Sequence, residues 1–139
     1  MLKKRTFFWV GIPLCLLVIA YWGYHLYQKP HQSAAEETAA LTIDADSLVK
    51  LYQADEQGAN KKYLGKVIEV TGKIAEIQRT PQSEIWILAA PSGNGGGVNC
   101  QLFPGEKFPT PHAGDQVSLK GRCTGFLMDV NLADCVLRK

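Results

Sequence analysis

The 139-residue sequence has little net charge and no recognisable catalytic set. Its formal charge is +2, and leaving out the three cations before residue 6 gives twelve basic against thirteen acidic residues. A domain this close to neutrality lacks the positive excess that holds a phosphate backbone, which weighs against nucleic acid as a partner. The sequence shows neither paired carboxylates nor an activated nucleophile, so we expect no enzyme activity and no catalytic residue.

Metal and cofactor motifs are also missing. Only four cysteines and three histidines are present, and no histidine stands at ligand spacing from the cysteines, so we expect no metal site and no cofactor. The glycine-rich segment 93–97 lacks a following Lys-Ser/Thr and does not open a helix, so it is interpreted as a flexible hairpin loop rather than a phosphate loop. His112 stands alone between Pro111 and Ala113 and is not expected to act in catalysis.

Formal charge is absent from residues 6–24 as well, directly after the cluster Lys3, Lys4 and Arg5. Nineteen helical residues span about 28 Å, close to the ~30 Å hydrocarbon core of a bilayer, and aromatic residues stand at both ends of the run. We therefore predict a signal-anchor transmembrane helix over residues 1–27. The basic cluster would keep the N-terminus inside, so the chain would be a single-pass protein of the cytoplasmic membrane with its C-terminal domain in the periplasm or outside.

A cleaved signal peptide is the alternative to this anchor. Residues 33–35 are small enough for a peptidase, but they lie about ten residues past the apolar run, which is itself long for a signal peptide. The uncleaved anchor is therefore preferred. A lipid anchor at Cys15 is not expected, because Pro13 and Leu14 precede it instead of small residues.

The rest of the chain divides into a linker and one domain. Residues 28–42 are polar and alanine-rich without an apolar stripe, and they are predicted to be a spacer. Residues 43–139 form the predicted domain, which begins with a helical segment over 43–64. Asp44 or Asp46 would cap that segment, and Gly58 would interrupt it.

Strand patterning dominates the domain from residue 68 onward. Apolar and polar residues alternate in most of five predicted strands, which cover residues 68–75, 84–90, 98–102, 117–124 and 130–137. We expect a sharp bend or a bulge at Gly72 and a bulge near Asp134. Five strands in about seventy residues predict a mainly β fold, a small closed barrel of the OB type preceded by a helical segment.

Three cysteines lie in the part of the chain expected to be exported, where two should pair. Cys123 and Cys135 flank the turn between the last two strands, and the slip at Asp134 can turn Cys135 to the buried face, so a Cys123–Cys135 disulfide is predicted. A Cys100–Cys135 bond is the competing pairing, since the third and fifth strands are neighbours in an OB barrel. A third alternative is that these cysteines are buried free thiols.

Three segments of the chain resemble a known family. They read ADSLVKLYQADEQGANKKYLGKVIEVTGKIAEI, GVNCQLF and GDQVSLKGRCTGFLMDVNLADCVL, and the resemblance covers residues 45–137. The sequence resembles the tRNA_anti-like family, whose OB-fold domains are often exported lipoproteins or membrane-anchored proteins. The resemblance implies the OB fold and brings no catalytic residues with it.

In OB folds the face of the second and third strands and the last connection often meet the ligand. The predicted ligand or partner face is Trp86, Asn99, Gln101, Arg122, Phe126 and Asp129. Alternatively, Trp86 and Phe126 cap the barrel or pack on the leading helix, and Asp129 only forms the turn.

The sequence thus predicts a non-catalytic, membrane-anchored OB-fold module that binds a protein partner in the cell envelope. The alternative is a domain that binds single-stranded nucleic acid through the barrel face.

Overall fold

The computed structural model describes residues 3–27 and 34–138, with side chains from residue 12 onward. The chain divides into two compact units, Met1–His31 and Gln32–Lys139.

The first unit is one helix, α1 (Lys3–Tyr27), with Pro13 inside it. Its apolar side chains from Ile12 to Tyr27 are exposed, and so is Cys15. Within the described ranges, no helix is at once long and apolar enough to cross a bilayer. The signal-anchor expected over residues 1–27 finds no support there and stays a prediction; its basic cluster and first aromatic belt fall on side chains outside the described part.

The second unit is a closed barrel with a short helical segment before it. Its elements are β1 (Thr42–Asp44), α2 (Ala45–Ala54), α3 (Glu56–Tyr63), β2 (Val67–Arg79), β3 (Glu84–Ala89), β4 (Gly97–Leu102), β5 (Gln116–Phe126) and β6 (Val130–Leu137). The strand order is β1-β2-β3-β4-β6-β5, and pairing of β5 with β2 closes the ring. All neighbours in the ring are antiparallel except β4 and β6, which run parallel. The mainly β class and the five-stranded barrel are confirmed.

Two aspartates organise the leading helices. Asp44 caps α2 by accepting a hydrogen bond from Ser47 N at 3.0 Å, and Asp55 caps α3 through Gly58 N at 3.0 Å. The break therefore lies at Asp55, and Gly58 stands in the first turn of α3 instead of interrupting the helix as predicted. The apolar face of α2, with Leu48 and Val49 fully buried, closes the end of the barrel where β5 ends and β6 begins.

Gly72 lies where β2 changes partner, since residues 67–73 pair with β5 and residues 74–79 pair with β3. The register is regular at Gly72 itself, and the shift of β2 against β3 falls between Ile74 and Glu76. A Cβ at Gly72 would lie 3.1 Å from the Cβ of Ala45, so the missing side chain allows the first residue of α2 to approach the sheet closely. The bulge predicted near Asp134 is confirmed, because Asp134 has a φ of 54° and the register of β6 against β5 shifts there.

Part of the segment predicted as a spacer packs on the barrel. β1 pairs in parallel with β2, and Ala40 N donates to Val67 O at 2.8 Å. Ala34 is fully buried. The remainder of the predicted spacer, residues 28–33, lies outside the described residues.

Two cations on β5 hold this docked segment, defined as residues 34–44. Lys120 Nζ donates to the carbonyl oxygens of Ala35 and Glu37, each at 2.9 Å. Arg122 forms an ion pair with the Glu37 carboxylate. The sequence does not predict this docking, because most of the contacts go to backbone atoms, which leave no pattern in the sequence. In addition, the three-residue strand β1 is too short to show alternation.

Candidate functional site

The structure separates the six side chains of the predicted ligand face. Asn99 and Asp129 meet where β4 and β6 begin, whereas Trp86 and Phe126 are held in packed surroundings. Gln101 is exposed on the outside of β4, opposite Ile85 of β3.

Trp86 is part of the core and not of the surface. Its side chain is fully buried, and its Nε1 donates to Glu84 Oε1 at 2.8 Å. The ring of Phe108 meets the indole edge-on at 5.4 Å between centroids. The segment 84–90 is apolar on both faces, so alternation alone could not tell which side of β3 points inward.

Phe126 packs against the leading helix. Its ring lies parallel to that of Tyr52 of α2, with 5.4 Å between the centroids and 22° between the planes. Both aromatic side chains are therefore packed within the unit, Trp86 in the core and Phe126 on α2.

Asp129 fixes the turn between β5 and β6, defined here as residues 127–129. Its Oδ1 accepts a hydrogen bond from Gly97 N at 2.6 Å, and its Oδ2 accepts one from Asn99 Nδ2 at 3.3 Å. Asn131 Nδ2 donates to the carbonyl oxygen of Asp129 at 3.1 Å. The carboxylate thus ties the turn to the first strand residues of β4.

The glycine-rich loop (residues 91–97) joins the antiparallel strands β3 and β4 as the predicted hairpin loop, and hydrogen bonds from α2 hold its other side. Gln53 Nε2 donates to Gly95 O at 2.9 Å, and Ser92 N donates to Asp46 Oδ1 at 2.8 Å. Lys50 and Ser92 bond to Asp46 and hold the pKa of its carboxyl below its usual value. Gly96 has a φ of +95°, and a Cβ there would lie 2.6 Å from Met128 O, so the loop packs directly on the turn.

The anchored turn presents two apolar side chains to solvent. Leu127 is 87% exposed and Met128 is 83% exposed. Leu64, at the end of α3, is half exposed and lies beside the end of β5, with its Cδ1 3.8 Å from an ideal Cβ at Gly125. We refer to Leu64, Leu127 and Met128 as the apolar rim. Sequence reasoning missed it because apolar residues near strand ends are indistinguishable from core residues.

Arg122 lies on β5, apart from the Asn99–Asp129 pair. Its guanidinium donates to Gly65 O at 2.9 Å and pairs with Glu37. β6 stands between β5 and β4 in the sheet, so the structure does not bring Arg122 together with Gln101.

The predicted Cys123–Cys135 disulfide is not formed, and all four cysteines are free thiols. Cys123 stands opposite Leu132 in the β5–β6 register, and its Sγ lies 3.2 Å from the phenol oxygen of Tyr52. Burial raises the pKa of Tyr52 further than any other influence, and the contact with Cys123 adds to this. The bulge places Cys135 in the core, and in the β4–β6 register it stands opposite Leu102.

Two further features lie away from the apolar rim. A groove of about 390 Å³ opens at the other end of the barrel between the proline-rich loop and the strand ends; it is lined by Trp86, Pro109, Thr110, Pro111, Asp115, Gln116, Val117, Ser118, Leu137 and Arg138. His112 lies in this loop, and its backbone N–H donates to Asp115 Oδ2 at 2.9 Å. No group of three metal-ligating side chains occurs among the residues that the structure describes.

Comparison with known proteins supports the fold. No curated protein sequence matches the chain. Among solved structures, a protein of Klebsiella pneumoniae subsp. pneumoniae named as a "putative nucleic acid-binding lipoprotein" superposes with a TM-score of 0.54. The two share 14% sequence identity, and the match covers 70% of this chain and 92% of that one, so the likeness concerns the fold.

The sequence itself matches the family model named tRNA_anti-like over residues 1–136. That match spans nearly the whole chain, the barrel has the strand order of an OB fold, and the resemblance noted in residues 45–137 lies within it. The chain belongs to the tRNA_anti-like family.

Proposed function

We propose that this chain is a non-catalytic OB-fold module that binds another protein through the apolar rim around its β5–β6 turn. The observation that carries the proposal is the turn itself, where Asp129 fixes the backbone through Gly97 while Leu127 and Met128 stand in solvent. Large apolar side chains that stand in solvent on an ordered turn are informative. When a partner covers them, apolar surface is removed from water and the complex is stabilised.

The rim is prepared for binding in two ways. The hydrogen bonds of Asp129 hold the turn in one conformation, so little backbone freedom is lost when a partner docks. Methionine is enriched at protein interfaces and adapts its shape to a partner, because its side chain is unbranched and polarizable.

The electrostatics of the barrel suit a protein partner better than a polyanion. Four of its cations already have carboxylate partners; the ion pairs are Lys50–Asp46, Arg79–Glu84, Arg122–Glu37 and Arg138–Glu69. The aromatic rings that could stack on bases, Trp86 and Phe126, are engaged inside the unit.

Placement at the membrane is part of the same proposal. The charge-free run 6–24 behind a basic cluster would anchor the chain in the cytoplasmic membrane and present the barrel in the periplasm to an envelope protein. Alkaline phosphatase fused after Lys139 should be active, and a cytosolic fluorescent reporter at the same place should be dark. The reverse pattern would overturn the placement without touching the barrel's binding role.

The binding role is tested by photo-crosslinking the full chain in its native membranes. Met128→p-benzoylphenylalanine should give discrete protein adducts, and Glu106→p-benzoylphenylalanine, an exposed position at the other end of the barrel, should give none. Adding Leu127→Asp should abolish the adducts at position 128. Equal labelling at both positions, or none at 128, would refute the proposed rim.

Single-stranded nucleic acid is the second candidate ligand. It is favoured by outward amides on β4 and β6, where Asn99 and Gln101 lie on the OB face and Asn131 lies beside Asn99, and by the name of the Klebsiella protein. Fluorescence anisotropy with labelled single-stranded oligonucleotides at several salt concentrations tests it. Binding that weakens steeply with salt and is lost in Asn99→Ala/Gln101→Ala would establish this reading, whereas no binding at physiological salt would reject it.

A further inference from the structure

Two thiols meet in the core of the barrel where β4 and β6 run side by side. Cys100 and Cys135 are both fully buried and belong to one core cluster. In the parallel register Cys100 stands opposite Leu132 and Leu102 stands opposite Cys135, so the two cysteines are diagonal neighbours across the strand pair. The neighbouring Cys100 side chain, followed by burial, raises the pKa of Cys135.

The bulge in β6 produces this meeting. Asp134, with its positive φ of 54°, takes up the extra residue and lets Cys135 turn into the core, although regular alternation would direct residue 135 outward. Gly121 on β5 leaves the space that the sulfur needs, because a Cβ at residue 121 would collide with Cys135 Sγ. The third barrel cysteine, Cys123, is engaged with the phenol of Tyr52 on the far side of β6.

We propose that Cys100 and Cys135 form a redox-reactive pair that closes to an intramolecular disulfide when a disulfide-bearing oxidant is the co-reactant. One cysteine, as thiolate, attacks the oxidant's disulfide and releases its first thiol; the other then attacks the mixed disulfide and releases the second. A bond forms between Sγ of Cys100 and Sγ of Cys135, the oxidant's S–S bond breaks, and two protons and two electrons pass from the protein to the two released thiols.

Burial determines when this reaction takes place. An oxidant cannot reach either sulfur in the closed barrel, so the bond forms while the chain folds or during local opening of β6. Once formed, the bond is shielded from reductants in the same way. The proposal is independent of the partner-binding role, since neither cysteine belongs to the apolar rim.

The bond would tie β4 to β6 across the intervening residues 101–134. A disulfide that closes a loop of that size restricts the unfolded chain, so the oxidised protein should melt on the order of 10 °C above the reduced one. The disulfide should stabilise the parallel β4–β6 pairing most, because that pairing joins segments far apart in sequence.

Refolding the full chain with oxidised glutathione or with dithiothreitol tests the proposal. Denaturing alkylation should then modify all four thiols of the reduced protein but only Cys15 and Cys123 of the oxidised one, and non-reducing peptide mapping should recover a Cys100–Cys135 peptide. Cys123→Ala should keep the bond, and Cys135→Ala should lose it. The mapping uses the unaltered chain, so a folding defect in a variant does not affect it. Four free thiols after oxidation, or a bond that joins Cys123 or Cys15, would overturn the proposal.

Discussion

The phenol oxygen of Tyr52 lies 3.2 Å from the Sγ of Cys123, and this contact joins the last turn of α2 to the wall of the barrel. Both side chains are fully buried, and the Tyr52 ring also stacks on Phe126 at the end of β5. The helix is therefore held on the barrel by a polar contact and an aromatic one within the same few residues.

Removing the hydroxyl tests the polar contact. Tyr52→Phe keeps the ring and its stacking but leaves the Cys123 thiol without its partner, so the free energy of unfolding should fall by about 1 kcal/mol. Urea denaturation monitored by circular dichroism measures this fall. In a double-mutant cycle with Cys123→Ala, we expect a coupling of about 0.5–1.5 kcal/mol, and additive effects would show that the contact contributes nothing.

Tyr63 provides the matched control for that experiment. Its ring is buried beside Tyr52, yet its hydroxyl has no hydrogen-bond partner among the described residues. Tyr63→Phe removes an unsatisfied polar group from the interior, so it should leave the stability unchanged or raise it. A loss equal to that of Tyr52→Phe would mean that the two hydroxyls are not distinguished as the structure indicates.

Trp86 separates a core role from a ligand-face role. Trp86→Ala should lower the free energy of unfolding by about 3–5 kcal/mol, because it leaves a cavity beneath Phe108. Met128→Ala, at an exposed position, should change it by less than about 0.5 kcal/mol. Chemical denaturation of both variants measures these changes. A loss at Trp86→Ala as small as that at Met128→Ala would show that Trp86 is not a core residue.

Gly121 tests the packing around the bulge. Gly121→Ala places a methyl group against Cys135 Sγ and should lower the free energy of unfolding by about 1–3 kcal/mol. Cys135→Ala vacates that space, so in its background the same glycine substitution should do much less harm. Equal penalties in the two backgrounds, measured by urea denaturation under reducing conditions, would contradict the contact.

The Asp44 cap should make the stability of the domain depend on pH. Hydrogen bonds from the side chain and backbone of Ser47 lower its pKa in the folded state below the value of 3.8 for the free side chain. The cap therefore stabilises fully above about pH 4 and loses its contribution as the pH falls through the lowered pKa.

Two variants at residue 44 separate capping from titration. Asp44→Asn keeps a good cap without the charge and should flatten the decline in melting temperature between pH 5 and about pH 2.5 that this group causes. Asp44→Ala removes the cap and should cost about 1 kcal/mol at neutral pH. A decline in Asp44→Asn as steep as in the unaltered chain would assign the acid sensitivity to other carboxyls.

The sequence predicted best where one periodicity extends over several residues. The alternation of β5 and β6 located both strands, and the interruption at Asp134 located the bulge. The same interruption predicted that Cys135 can face the core, and it does, but it did not show which cysteine Cys135 would lie beside. That depends on the facing strands, here on the space left by Gly121.

The candidate site was harder to predict because its contacts are made by single groups far apart in sequence. Asp129 bonds to a backbone N–H in another strand, and Gln53 of α2 holds the glycine-rich loop through Gly95 O. Such contacts follow no local pattern. Family resemblance pointed to the OB face, but the inward placement of Trp86 depends on the register of β3 against β4.

The docking of residues 34–44 has a practical consequence for anyone isolating the barrel. Cutting the gene at residue 43, where the sequence pattern places the domain start, would strip Lys120 of the two carbonyl oxygens it binds and Arg122 of the Glu37 carboxylate. A fragment trimmed in this way would leave the edge of β2 unpaired, and that edge could pair with other chains and cause aggregation in vitro. A soluble fragment should therefore begin upstream of Ala34.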